Sequence, residues 1–377
     1  MNRPAPALMM FAASEHDANL YYAVKFVVPD PFLFFRIRGR SHIVLSDLEY
    51  DRARKQAKVD RVERLYDWAA RAKAKGVERP TAADVAALFL KSHGVRKAQV
   101  PQDFPLGFAL AMKSRGILLQ AKNDPFWEER VLKSRAEVEL VRQALRHTET
   151  AIHRAEDLLA KSVIRGKRVY HRGSIVTSEL LKRVINVSLM ENQCVANHTI
   201  VAPGDQGCDP HCEGSGPITA HQSLVVDVFP RSGETLYFAD ITRTFVKGKA
   251  SEALKRQYEA VRAGQQVGLD KIRAGANGKE IHQAITAEME SRGYRTERKN
   301  GVMTGFFHGT GHGLGLEVHE APRINSTDHI LRAGEVVTDE PGLYYPGVGA
   351  IRLEDLVVVT KTGNENLTAY PKRLEIR

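Results

Sequence analysis

Acidic and histidine side chains recur within short apolar segments in the second half of the chain. Five of them stand where a strand would bury them: Asp227, Asp240, His312, Glu340 and Glu354. An isolated buried carboxylate costs several kcal/mol unless it is protonated, paired or bound to a cation. Because these acids and one imidazole occur within a stretch about the size of one domain, they predict a shared site for divalent metal ions.

The composition of this set favours two ions over one. Its four carboxylates carry a formal charge of −4, which two dications balance and a single dication does not. Two ions about 3.5–4 Å apart can hold a bridging hydroxide and stabilise a developing oxyanion. Carboxylates with an imidazole and no thiolate suit Mn²⁺, Co²⁺, Fe²⁺ or Zn²⁺ in a catalytic role.

The elements that must position these residues fall into two parts, divided near residue 130. The first part combines predicted strands at 20–28, 32–38 and 41–45 with predicted helices at 51–75 and 81–93. In the second part, the predicted helices lie at 133–161, 174–192, 251–274 and 278–293. Residues 230–235 have the composition of a hairpin loop, so Asp227 and Asp240 are expected on paired strands. This arrangement predicts an α+β domain with a curved, mainly antiparallel sheet, preceded by a smaller α/β domain.

Bulk composition describes an ordinary globular protein. The 377 residues are 43% apolar and 27% charged, and that length is enough for two domains. Three cysteines cannot form a fully paired disulfide framework, which favours the cytoplasm. No apolar stretch approaches the roughly 20 residues of a membrane span, and the net charge of +10 is spread over helices that also carry acids. We therefore expect neither a membrane nor a nucleic acid as a partner.

Four motifs carry a resemblance to a known family. They occupy residues 240–245, 308–320, 340–344 and 352–355. In type and order they resemble the signature segments of the pita-bread metallopeptidases, which include Xaa-Pro aminopeptidase, Xaa-Pro dipeptidase (prolidase), methionine aminopeptidase and the metal-free creatinase. The resemblance implies a creatinase-type amino-terminal domain over residues 1–130 and a pita-bread catalytic domain over residues 131–377.

The resemblance also implies a role for each site residue. Asp227 would bind one ion, His312 and Glu340 the other, and Asp240 and Glu354 would bridge them. His211 and His319 would contact the substrate near the scissile bond, His308 would line the pocket, Arg352 would support a bridging acid, and Glu340 would shuttle the proton. Two divalent ions are implied, Mn²⁺ first and Co²⁺, Zn²⁺ or Fe²⁺ as alternatives.

Within the family, the resemblance favours Xaa-Pro aminopeptidase acting on peptides with proline in second position. The expected reaction is attack of a metal-bridging hydroxide on the carbonyl ahead of that proline, and a homodimer is the expected assembly. Xaa-Pro dipeptidase is the alternative, because loops that one sequence does not reveal decide the length of peptide admitted. From another class, a catalytically inactive pita-bread binding module stays open, although none of the five ligands is lost.

Overall fold

The computed structural model describes residues 6–299 and 301–377. The chain divides into two compact units, the first ending at Arg130 and the second running from Val131 to Arg377. In the described ranges, no helix is long and apolar enough to cross a membrane.

The first unit is a six-stranded mixed sheet with helices. Its strands are β1 (Ala7–Ala12), β2 (Phe32–Ile37), β3 (Arg40–Leu45), β4 (Arg61–Arg64), β5 (Lys97–Pro101) and β6 (Leu118–Lys122). Its helices are α1 (Ala18–Val24), α2 (Asp47–Gln56), α3 (Leu65–Lys73), α4 (Ala82–Ser92) and α5 (Leu106–Ser114). The strand order is β4-β3-β2-β1-β5-β6. Neighbouring residues belong to separate apolar clusters, as Phe34 and Phe35 do, because successive strand side chains point to opposite faces.

Two expectations for this unit are wrong. Residues 20–28 do not form a strand, because the Asp17 carboxylate caps the backbone of Leu20 and starts α1, which buries Leu20 and Val24 four residues apart. Residues 51–75 are not one helix, since α2 and α3 are separated by β4. The break coincides with Asp60, whose carboxylate accepts hydrogen bonds from Ser41. The helix predicted at 81–93 is present as α4, and Thr81 caps it together with Asp84.

The second unit contains four long helices close to the predicted ranges. They are α6 (Arg135–Ala160), α7 (Ser178–Met190), α8 (Glu252–Lys271) and α9 (Gly278–Ser291). Each begins after a residue whose side chain accepts a hydrogen bond from the first turn, and these caps are Ser134, Thr177, Ser251 and Asn277. Such caps satisfy backbone donors that a helix leaves unpaired, and they set where each helix starts.

The strands of the second unit form several open sheets. In chain order they are β7 (Val163–Arg165), β8 (Arg168–His171), β9 (Ser174–Ile175), β10 (Cys194–Val195), β11 (Ile200–Pro203), β12 (Ser223–Val228), β13 (Arg231–Ser232), β14 (Ile241–Lys247), β15 (Glu297–Lys299), β16 (Val302–Thr304), β17 (Gly311–Gly313), β18 (Glu320–Ile324), β19 (Val336–Asp339), β20 (Gly342–Tyr345), β21 (Gly349–Arg352), β22 (Asp355–Val359), β23 (Asn364–Asn366) and β24 (Glu375–Ile376). The two largest sheets have the orders β11-β12-β14-β24 and β18-β17-β19-β22-β23. Apart from β14 with β24, their pairings are antiparallel, which confirms the α+β prediction.

Helix α8 packs closely on strand β19 through a glycine. The Asp339 carboxylate is fully buried and points at Gly268, where a β-carbon would stand 2.4 Å from its Oδ2 atom. One turn earlier, the Gln265 side-chain amide donates to the backbone carbonyl of Asp339 at 2.9 Å. Gly268 thus provides the space in which the helix meets the strand that leads into Glu340.

Gly268→Ala is therefore expected to destabilise the protein by about 1–3 kcal/mol, the usual cost of overpacking. Urea unfolding measures the change. Gly264→Ala on the same helix is the matched control, since its new methyl would meet the end of the flexible Met289 side chain at 2.8 Å. Equal stability of the two variants would contradict the close contact with Asp339.

Candidate metal centre

Strands β12 and β14 position the two aspartates. Asp227 lies within β12, and the ladder pairs it with Thr242 and pairs Val228 with Ile241. Asp240, which was expected within a strand, immediately precedes β14 instead. The predicted pairing of the two segments is present, with Asp240 just beyond the end of the ladder. Both carboxylates are buried.

The other three candidate ligands come from the five-stranded sheet and its neighbour. His312 is the central residue of β17, Glu340 follows β19, and Glu354 lies between β21 and β22. The backbone N–H of Glu354 donates to the carbonyl of Thr242 at 3.0 Å, which joins this segment to β14. Residues far apart in sequence are therefore held at one place by strand pairing.

The structure brings all five predicted ligands to the wall of one cavity of about 800 Å³. Asp240, His312 and Glu354 each offer a donor atom within 4.8 Å of the other two. The Nε2 atom of His312 lies 3.8 Å from Oδ2 of Asp240 and 3.4 Å from Oε1 of Glu340. Such spacing suits atoms that share ions rather than bond to one another.

The unpaired atoms at this place also fit divalent cations. One buried oxygen on each of Asp227, Asp240 and Glu354 has no hydrogen-bond partner among the described residues. The Nδ1 atom of His312 lies 3.1 Å from the carbonyl of Gly313, and a carbonyl only accepts. The proton is therefore assigned to Nδ1, which leaves the Nε2 lone pair for a metal.

The electrostatics of the cluster require added positive charge. Burial, followed by repulsion from neighbouring carboxylates, raises the pKa values of Asp240 and Glu354 well above their ordinary range. Burial likewise raises the pKa of Glu340 to about 8. Burial and then His319 lower the pKa of His312 to about 3, so this imidazole is neutral. Bound protons or cations must therefore neutralise these carboxylates.

Arg352 connects the metal-site acids to the pocket wall. Its Nη2 atom donates to Oδ2 of Asp227 at 2.6 Å, and its Nη1 atom donates to the Tyr344 hydroxyl at 3.2 Å. The Thr242 hydroxyl donates to Oε2 of Glu354 at 2.8 Å. The prediction expected Arg352 to support a bridging acid, whereas its direct carboxylate partner is Asp227. Thr242, which sequence reasoning did not single out, contacts Glu354 instead.

The three predicted substrate histidines also line the cavity. The ring of His319 meets the ring of His312 edge to face, with centroids 4.4 Å apart. His308 accepts from the Tyr344 hydroxyl at 2.8 Å, and burial with the nearby Arg352 lowers its pKa to about 3. His211 lies in the loop after a 3₁₀ turn at Gly204–Cys208. Imidazole rings at these positions offer nitrogen atoms that can form hydrogen bonds with a bound peptide.

Sequence reasoning missed two further features of the site. Arg323 lines the cavity, and β18 places it directly opposite His312. Lys133 and Glu320 form a buried ion pair beside Gly315, and this pair holds the first residue of β18. A basic residue on the strand next to the candidate ligand His312 has no local signal in the sequence, because register is set by distant pairing.

The open, mainly antiparallel sheets and the convergent acids and histidines define a pita-bread metallopeptidase fold. Residues 139–361 match the model of metallopeptidase family M24. The chain belongs to this family.

Relatives with assigned names are similar in sequence to this chain over much of its length. It is 29% identical over 284 residues to an Xaa-Pro dipeptidase of Pyrococcus horikoshii, covering 74% of this chain and 75% of the relative. It is 34% identical over 211 residues to Xaa-Pro aminopeptidase 1 of Streptomyces coelicolor, covering 49% of this chain and 43% of the relative. The solved Xaa-Pro dipeptidase from Bacillus anthracis superposes with a TM-score of 0.82 at 24% identity, covering 99% of this chain and 95% of that one. At this identity the superposition supports the fold alone.

Metal-free protein is expected to lose stability as pH rises. The pKa values of Asp240, Glu340 and Glu354 are raised in the folded state, so folded protein keeps protons that the unfolded chain releases. The contribution of Glu340 to stability is complete below 4.5, the ordinary glutamate pKa. It is lost as pH rises through the folded-state pKa of about 8. Each retained proton contributes a slope of about 1.4 kcal/mol per pH unit.

Urea unfolding of chelator-treated protein between about pH 5 and about pH 8 measures this slope. Excess Mn²⁺ should reverse it, because carboxylates must be ionised to bind a metal. Stability that rises with pH in the metal-free protein would contradict the charge argument.

Glu354→Gln is expected to weaken metal binding by about 100-fold or more while the fold survives. The amide keeps an oxygen for the Thr242 hydroxyl but removes the charge that the ions require. Metal content after dialysis and circular dichroism measure the two effects. Glu280→Gln, at an exposed position of α9, is the matched control, and equal metal content in both variants would exclude Glu354 as a ligand.

Proposed function

We propose that the chain is a dinuclear-metal peptidase that hydrolyses the bond between an amino-terminal residue and a following proline. The observation that carries this proposal is the convergence of Asp240, His312 and Glu354 at one buried place, with Asp227 and Glu340 on the same cavity wall. Membership of family M24 and relatives named for Xaa-Pro cleavage support it.

Two divalent ions, with Mn²⁺ proposed first, would supply an activated water and polarise the scissile carbonyl. Asp227 would bind one ion, His312 and Glu340 the other, and Asp240 and Glu354 both. The four carboxylates then remain ionised, in agreement with the balance of charge that the ligand set predicts.

The remaining residues orient the peptide and move its proton. Glu340 would pass a proton to the leaving proline nitrogen, while His211 and His319 would donate hydrogen bonds to the carbonyl and the leaving group. Phe229 and Phe307 line the same cavity and offer apolar surface suited to a pyrrolidine ring. The Arg352 guanidinium would keep the Asp227 carboxylate oriented through their hydrogen bond.

One observation favours the dipeptidase alternative. Arg323 faces the cavity, and no carboxylate of the described chain lies within ion-pair distance of it. An Xaa-Pro dipeptide carries its own carboxylate directly on the proline, and a guanidinium binds carboxylate with two parallel hydrogen bonds. A longer peptide has an amide there and gains less from Arg323.

The wider organisation is proposed on the same family relationship. The first unit would be a creatinase-type amino-terminal domain and residues 131–377 the catalytic domain. We propose a homodimer located in the cytoplasm. The location agrees with three cysteines, which cannot form a fully paired disulfide framework.

The direct test is a peptide panel with Mn²⁺-loaded protein. Xaa-Pro dipeptides, Xaa-Pro-Xaa tripeptides and Xaa-Pro pentapeptides are compared for release of the amino-terminal residue. We expect release that a chelator abolishes and Mn²⁺ restores. Metal-loaded protein that binds two ions but cleaves no peptide would favour the inactive binding module.

Arg323→Gln separates the two branches within the same panel. If the protein is a dipeptidase, KM for dipeptides should rise about tenfold or more, as for loss of a charged hydrogen bond, with little change for pentapeptides. Equal effects on both substrates would remove the dipeptidase argument. Arg273→Gln, at an exposed position outside the cavity, is the control.

A further inference from the structure

A three-stranded sheet rich in cations lies apart from the cavity. Residues 161–175 contain five cations, Lys161, Arg165, Lys167, Arg168 and Arg172, and no carboxylate. Residues 163–175 form the three-stranded antiparallel sheet β7-β8-β9, here called the basic ribbon. All of its residues are described, and none lines the cavity. The metal centre therefore does not account for this concentration of charge.

Strand register sorts the side chains of the basic ribbon onto two faces. Val163 pairs with Tyr170, Tyr170 pairs with Ile175, and Arg165 lies opposite Arg168. Because residues two apart on a strand share a face, these five side chains form one surface. Val163 is 53% exposed and Ile175 40% exposed, so this face carries an apolar row beside a cationic one.

The opposite face packs the basic ribbon against the rest of the second unit. Val169 on that face is fully buried. The Cδ1 atom of Ile164 would be 2.9 Å from a β-carbon at Gly248, so this side chain packs directly on the turn after β14. The outer face is therefore held towards solvent by packing on the inner one.

The cations of the basic ribbon have no carboxylate partner in the part of the chain that the structure describes. Among residues 6–299 and 301–377, no carboxylate pairs with Arg165, Lys167, Arg168 or Arg172. The arginine pair across β7 and β8 is unfavourable, since like charges directly opposite destabilise a sheet. Arg172 also occupies a turn at φ 49°, a left-handed conformation that disfavours such a residue. Stability of the fold therefore does not explain these cations.

We infer that the outer face of the basic ribbon docks on an anionic phospholipid bilayer. Four cations without a carboxylate partner, of which Arg165 lies over the Tyr170 ring at 5.7 Å, match the polybasic clusters that bind acidic headgroups, each contributing about 1 kcal/mol. The row formed by the exposed Val163 and Ile175 with the half-buried Tyr170 lies between Arg172 at one turn and the Arg165–Arg168 pair near the other. Apolar side chains flanked by cations suit the boundary between headgroups and acyl chains.

Other occupants account for fewer of these features. Nucleic acid would use the arginines and Tyr170, but its phosphate surface gains little from the aliphatic Val163 and Ile175. A second copy of the same face would bring like charges together. The bilayer uses both rows, and a peripheral contact of this kind departs from the expectation that a membrane is not a partner.

The test uses the full-length protein and lipid vesicles. We expect binding to phosphatidylcholine vesicles that contain phosphatidylglycerol, no binding to phosphatidylcholine alone, and weakening with added salt. Arg165→Glu with Arg168→Glu should lower vesicle binding by about tenfold or more. Lys271→Glu with Lys361→Glu removes the same charge at exposed positions elsewhere and should have a smaller effect. Circular dichroism and peptide hydrolysis check that the fold is retained.

A second pair of variants distinguishes the bilayer from other polyanions. Val163→Thr with Ile175→Thr keeps the branching at the β-carbon and the charge, and should weaken vesicle binding several-fold through lost apolar contact. Absence of vesicle binding would overturn the inference, as would equal losses in the ribbon and control charge variants. Tight binding of a single-stranded RNA homopolymer that the arginine variants abolish and the threonine variants leave unchanged would assign the ribbon to nucleic acid instead.

Discussion

The removal of four carboxylates from water is the constraint on which the rest of the second unit depends. Asp227, Asp240, Glu340 and Glu354 share one cavity wall. Within the described ranges, Arg352 is the one permanently charged cation paired with any of them. Protons or metal ions must balance the remaining charge. Because the acids belong to different strands, the same ions that balance their charge would also connect the strands.

Behind the candidate ligands, a buried arginine ties two of their segments together. The Arg243 guanidinium donates to the carbonyls of Thr242, Glu354 and Tyr370 and to the carboxylate of Asp355. The ion pair with Asp355 is almost fully buried. Removing one partner from such a pair leaves an uncompensated charge, so the network has one favourable arrangement. That arrangement sets the spacing between β14 and the segment that carries Glu354.

Residue type indicated the candidate ligands, whereas local pattern predicted the helices better than the strands. Acids in apolar frames are chemically conspicuous, and a capping residue such as Thr81 marks where a helix begins. The apolar run at 20–28 is ambiguous by itself, because a short buried helix and a strand have similar composition. The capping contact from Asp17 decides in favour of the helix.

Contacts between residues that lie far apart in the sequence could not be predicted from it. Lys133 and Glu320 are separated by 187 residues, and Arg323 reaches the cavity because β18 pairs with β17 in one particular register. A shift by one residue would turn these side chains to the other face. Local periodicity contains no information about that choice, which depends on how all the strands pack.

The glycines around His312 connect the charge constraint to the backbone. A β-carbon at Gly311 would stand 1.9 Å from the carbonyl oxygen of Thr338, and one at Gly313 would stand 2.2 Å from that of Ala321. Strand β17 can therefore lie between β18 and β19 only without side chains at these two positions. With glycine on both sides, His312 is the residue of this strand that can present a donor atom to the acids. The Gly-His-Gly sequence is thus a packing requirement of the strand as well as a chemical motif, and it sets the position of the imidazole before any ion binds.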